Sequence, residues 1–236
     1  MASRHTLVCL PPLNDPHDWA DAIDQAVAPF PEDLYTWTAY GRYDAHLAAR
    51  TGTPPDDEHL AQCPRVRQSH IPSGSGGRRS SLDFAAMRTS RAAQASVLHR
   101  TWSSATAAMP PATSLASFVQ HHPQELARAR GEFHAQPQLR LLTELDAPRS
   151  RRRRDAETAA LVALDHDAFV ERARQRAVPG DLLLTVDGAL HIDPSFIHPD
   201  DVDETGATRY LSLANSYLDE LPPDHLVFSI DGRTAG

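Results

Sequence analysis

DLLLTVDGALHI, residues 181–192, holds two apolar runs around a single Asp-Gly pair, Asp187-Gly188. This pattern predicts a tight β-hairpin in which glycine supplies a positive φ that side chains resist. Further on, TRYLSLANSYLDELPP (208–223) sets Tyr210, Leu213, Ala214, Tyr217, Leu218 and Leu221 at helical spacing ahead of a Pro-Pro stop. That spacing makes one face apolar, so an amphipathic helix is expected. HLVFSI (225–230) then closes as an apolar strand.

The N-terminal end has a matching order. TLVCLP (6–11) has the composition of a buried strand and stops at Pro11-Pro12. NDPHDWADAIDQAVAPF (14–30) offers Asp15 as N-cap, Pro16 in the first turn, and Trp19, Ile23, Ala26, Val27 and Phe30 along one helical face. LYTWTAYGRY (34–43) alternates Tyr35, Trp37 and Ala39 against threonines, the period of a half-buried strand. A helix with one apolar stripe must bury it on a sheet. The expected class is therefore α+β with an antiparallel or mixed sheet, in a ferredoxin-like βαβ…ββαβ order.

Residues 1–62 and 179–236 are expected to form two halves of one sheet domain, with 63–178 inserted as a basic, mostly helical module. Within the insertion, IPSGSGGRRSS (71–81) has a mobile Gly/Ser composition and APRSRRRRDAE (147–157) has that of a solvated arginine loop. Helices are expected in 82–102, 122–135 and 166–178.

The chain has 236 residues, 41% of them hydrophobic, enough for an ordinary core. It has no lysine, and its net charge of −8 argues against coating nucleic acid with the whole surface. Charge is unevenly placed, however. Residues 63–154 hold 15 Arg against 5 acidic residues, whereas 1–62 carry −7 and 155–236 carry −11. The basic stretch either folds back on acidic flanks or faces an anionic partner, a nucleic acid or an acidic protein. Arg151, Arg152, Arg153 and Arg154, with Arg78 and Arg79, are the binding candidates. Two cysteines, Cys9 and Cys63, are too few for a disulfide scaffold and suit a reducing cytoplasm. No apolar window is long enough for a membrane span, and the opening apolar run is too short for a signal peptide.

Chemistry-bearing constellations are sparse. His59, Cys63 and His70 lack zinc spacing and a fourth ligand. His191, Asp193 and His198 could gather imidazole and carboxylate at a sheet end, although such a run is more often an acidic loop whose Pro194 and Pro199 shape turns. The Gly/Ser stretch lacks the Gly-Lys-Ser/Thr ending of a phosphate loop, and no cofactor is expected. His134, in FHAQP (133–137), is either an acid–base group or the last turn of a helix, where the dipole favours a histidine without catalytic duty.

Together, HTLVCLPP, SLDFAAMR (81–88) with Trp102, FHAQP, ERARQRAVPGDLLLTVDG (171–188) and LANSYLDEL (213–221) resemble a group of uncharacterised proteins of actinobacteria and their phages. Those relatives are richer in tryptophan and glycine around the second strand and end the last strand with Asp-Cys-His, where this chain has SIDGRTAG. The resemblance implies a lineage and leaves activity open. The expected role is a non-enzymatic cytoplasmic binding protein that contacts an anionic macromolecule or a protein. A hydrolase or transferase using His134 or the His191/Asp193/His198 group, with or without a metal, is the alternative.

Overall fold

The computed structural model describes residues 3–30, 47–54, 60–61, 73–145, 151–194 and 204–233. The second-strand stretch 34–43 and the His59/Cys63/His70 group lie outside them, as does His198. The fold is α+β, and the chain divides into two compact units. The first comprises Met1–Thr89, Gln175–Ile197 and Asp203–Gly236, and the second Ser90–Arg174 with His198–Val202.

The first unit is built on a six-stranded mixed sheet. At its centre are β1 (Ser3–Leu10) and β8 (Leu226–Arg233), antiparallel over their full eight-residue length, so the two ends of the chain form one ladder. On one side β8 pairs with β5 (Gly76–Arg78), which pairs with β3 (Leu60–Ala61). On the other, β1 runs parallel to β6 (Leu182–Leu184), which turns back into β7 (Leu190–Ile192). Two short strands, β2 (Leu47–Ala48) and β4 (Ser73–Gly74), make a separate ladder.

Alternation along the strands separates two cores. Val8, Leu10, Phe228 and Ile230 pack with Trp19, Ile23 and Val27 of α1 (Trp19–Val27). Leu7, Cys9 and Val227 pack instead with Tyr210, Leu211, Ala214 and Leu218 of α8 (Glu204–Glu220). Helices therefore cover opposite faces. The expected ferredoxin-like order is not what the strands show: β1 and β6 are adjacent and parallel, whereas that order calls for a split crossover with helices on one face. The hydrophobic periods of α1 and α8 marked them as helices but carried no information about which face each would cover.

The hairpin forms as expected, with Gly188 at φ +82°. Its turn is longer than the two-residue type, because Thr185 pairs with Ala189 and, within the turn, only Gly188 takes positive φ. Thr185 Oγ1 donates to Asp187 Oδ1 at 2.5 Å, and that bond holds the Asp187 carboxyl below its usual range. Asp15 accepts from the His17 N–H at 2.8 Å and opens a short 3-10 turn, Pro16–Asp18, that leads into α1.

Two loop expectations are corrected. Residues 73–81 hold β4, β5 and a 3-10 turn, Arg79–Ser81, so the Gly/Ser stretch enters the sheet. Its glycines serve close packing: a Cβ on Gly76 would fall 2.5 Å from Phe228 Cδ1 and 2.6 Å from Phe228 Cα. The arginine run also is no loop from residue 151 onward, because Arg151–Arg154 lie within α6 (Arg151–Ala163). Arginine loses little side-chain freedom in a helix, so a solvated charge run and a helix are compatible.

Burial pushes the Cys9 thiol far above its ordinary range. Because the thiolate is the nucleophile, Cys9 should resist iodoacetamide in the native protein and react once denatured. Peptide mapping after alkylation with and without urea checks this, and rapid native labelling of Cys9 would contradict its place in the core.

Candidate functional site

The second unit is helical. It takes the C-terminal part of α2 (Phe84–Thr106), then α3 (Leu115–His121), α4 (Leu126–His134), α5 (Pro137–Leu145), α6 and α7 (His166–Gln175). Ala95 of α2, Ala160 and Leu161 of α6, and Phe169 and Ala173 of α7 form its buried cluster, with Leu98 and Trp102 packed against it.

The FHAQP corner proves to be a joint. Phe133 is fully buried, with its ring 6.4 Å from Phe118 and 5.1 Å from His134. The Gln136 amide clasps one residue of the preceding connection at both ends: Oε1 accepts from Thr113 N–H at 2.7 Å, and Nε2 donates to Thr113 C=O at 3.0 Å. Nε2 also lies 3.1 Å from Phe133 O, and Gln138 donates to Pro110 O. The corner is thus held by its glutamines, and His134 sits half-buried in the last turn of α4, as the helix-end reading has it. Gln136→Ala should cost about 1–3 kcal/mol in urea denaturation, since it removes the clasp. A cost near zero would remove the glutamine from that role.

Arg79 is committed internally. Its Nε donates to Leu218 O at 3.0 Å, near the C-terminal end of α8, and its guanidinium lies 4.2 Å from the centre of the Phe84 ring. Asp219 stands 3.9 Å away and also accepts from Arg88 at 2.9 Å. This is local fold chemistry, a cation at the negative end of a helix. The half-buried Arg78 pairs through its backbone with Leu226.

Arg151, Arg152, Arg153 and Arg154 occupy the first turn of α6. Regrouping the charges by unit changes their setting. The helical unit holds 12 Arg and 11 acidic residues, net +1, and the sheet unit holds 11 Arg and 20 acidic residues, net −9. The broad basic insertion therefore reduces to a local run, because the arginines of 63–89 join the sheet unit and the acids of 155–174 join the helical one.

Among the described residues no group of three or more His, Cys, Asp or Glu is placed to hold an ion. His191 is half-buried on β7. Asp193, 2% exposed, accepts from Arg176 at 3.1 Å. A buried carboxylate requires such a partner.

Two polar arrangements had no local signal. His5 Nε2 and Ser229 Oγ lie 2.6 Å apart across β1 and β8, buried beneath α8, and the Tyr210 hydroxyl donates to Gly180 O at 3.0 Å nearby. Ser96 Oγ lies 3.0 Å from His166 Nε2, whose Nδ1 is 2.8 Å from Asp167 Oδ1. Partners 224 and 70 residues apart leave no spacing to read.

Among the described residues no helix is long and apolar enough to cross a membrane. Comparison of the chain with protein-family models, curated proteins and solved structures found no match.

Proposed function

We propose that this chain is a cytoplasmic binding protein that holds an anionic macromolecule, nucleic acid foremost, at the arginine-headed end of α6. One observation carries the reading: four consecutive arginines stand in the first described turn of a helix. The N-terminal turn of a helix bears partial positive charge and unsatisfied N–H groups, so it favours anions and disfavours cations by about 0.3–1 kcal/mol each. Four guanidinium groups there work against helix stability and in favour of a bound anion, because phosphate would satisfy arginines and helix end together. Four successive helical positions also span most of a helix's circumference.

The acidic sheet unit would repel misplaced polyanion and limit contact to this end. Cytoplasmic location is supported by the buried free thiol of Cys9. The actinobacterial and phage resemblance stays part of this proposal as a lineage. The test is titration of a labelled duplex DNA and of polyglutamate, comparing the wild type with Arg151–Arg154 all changed to alanine. Loss of DNA binding in the variant supports the reading. Binding of polyglutamate alone would move the partner to acidic protein, and unchanged binding of either would remove the patch.

A further inference from the structure

We infer that Ser96, His166 and Asp167 form a nucleophile, base and orienting group able to cleave a small carboxylic ester. This goes beyond the binding reading, and each can fail without the other. Ser96 lies on α2 and His166 is the first residue of α7, so two helices of one unit bring them together. The distances of 3.0 Å and 2.8 Å are those of a working hydrogen-bonded relay.

The pattern is also chemically consistent. With Nδ1–H donating to the Asp167 carboxylate, Nε2 presents its lone pair to the Ser96 hydroxyl, the tautomer a general base needs. The His166 ring is held by its surroundings. His99 meets it edge-on with centroids 5.3 Å apart, and His99 itself packs on Phe169 at 5.6 Å and Trp102 at 6.3 Å. Ser103 Oγ at 3.3 Å from His99 Nδ1 steadies that second ring. Asp165 caps α7 by accepting from Ala168 N–H at 2.8 Å, which fixes the turn that carries His166.

The pair is open to solvent: Ser96 is half-buried and the His166 side chain is 36% exposed. Arg100, exposed and one turn beyond Ser96, is a helix-face neighbour able to meet a developing oxyanion. The Asp167 carboxylate, 98% exposed, is well solvated and orients the ring only weakly.

The step balances with water as the sole co-reactant. Ser96 Oγ attacks the ester carbonyl as its proton passes to His166 Nε2. The C–O bond to the alcohol breaks, and the alcohol leaves with that proton. Water, deprotonated by the same nitrogen, then attacks the acyl-serine, and the acid departs as Ser96 regains its hydrogen.

The test uses the full chain with a fluorophosphonate probe and p-nitrophenyl acetate, read by intact mass and peptide mapping. One adduct mapping to Ser96 is expected. Ser96→Ala should take none, and His166→Gln should label about a hundredfold more slowly, the usual contribution of a positioned base. Asp167→Asn should slow labelling only a few-fold. Thermal melts of each variant separate loss of the base from loss of fold, and His99→Phe, which keeps the ring packing, should retain the adduct. No adduct in the wild type, an adduct elsewhere, or equal labelling of folded His166→Gln would overturn the assignment.

Discussion

Gly76→Ala should destabilise this protein by about 2–6 kcal/mol, adding backbone strain of about 1–3 to overpacking of about 1–3. Gly76 has φ +152°, and its absent Cβ leaves room for the Val227 carbonyl and the Phe228 ring and Cα. Both neighbours belong to β8, whose backbone is fixed on the far side by eight pairs with β1. The sheet therefore cannot yield locally, and β5 would have to leave it. Ser229 N–H, which donates to Ser75 O at 2.6 Å, would lose its partner, and the fully buried Ser75 would be pulled from the interior. The contrast is Gly131 in the middle of α4, where a Cβ meets nothing within 4 Å. Gly131→Ala should stabilise by about 0.5–1 kcal/mol, because it lowers the entropy of the unfolded chain and improves helix propensity. Urea denaturation followed by circular dichroism measures both. Equal effects at the two glycines would mean β5 is not packed on β8 as described.

Gly76 also shows where sequence reasoning stops. Glycine and serine in a row carry the same letters whether they loosen a loop or admit a close neighbour, and the neighbour here lies some 150 residues away. The strands at both ends, the hairpin at Asp187-Gly188 and the helices α1, α7 and α8 were legible, because apolar period, proline stops and caps are local. The face each helix covers was not, nor was the parallel pairing of β1 with β6, since register depends on partners distant in sequence. For the site, charge counted along the chain misled. The balance of 63–154 mixes residues of both units, while Arg79 is held by Leu218 and Asp219, which spacing cannot reveal. The arginine run was visible at once, but its place at the start of a helix was masked by reading charge as loop. Ser96 and His166 were invisible because neither sits in a motif.

Changing Arg151, Arg152, Arg153 and Arg154 to alanine should have the largest functional effect. Each arginine that neutralises a phosphate displaces counterion, and affinity for duplex DNA then falls with salt at about 0.9 log units per contact. Four such contacts give a slope of about 3.6, so between about 50 and about 200 mM salt they alone weaken binding about a hundredfold. The variant should lose that dependence while keeping its helix, since alanine is the stronger helix former and relieves repulsion at the positive end of α6. A weakened but equally salt-sensitive variant would place the anion elsewhere, for instance on arginines of α4 and α7.

The salt dependence of duplex DNA binding, measured for the wild type and the four-alanine variant over the same concentrations, is the most direct test of the arginine-headed helix as the point of contact. A slope about 3 to 4 smaller in the folded variant is the predicted result. Coincident slopes, or a wild type that binds no duplex at low salt, would contradict it.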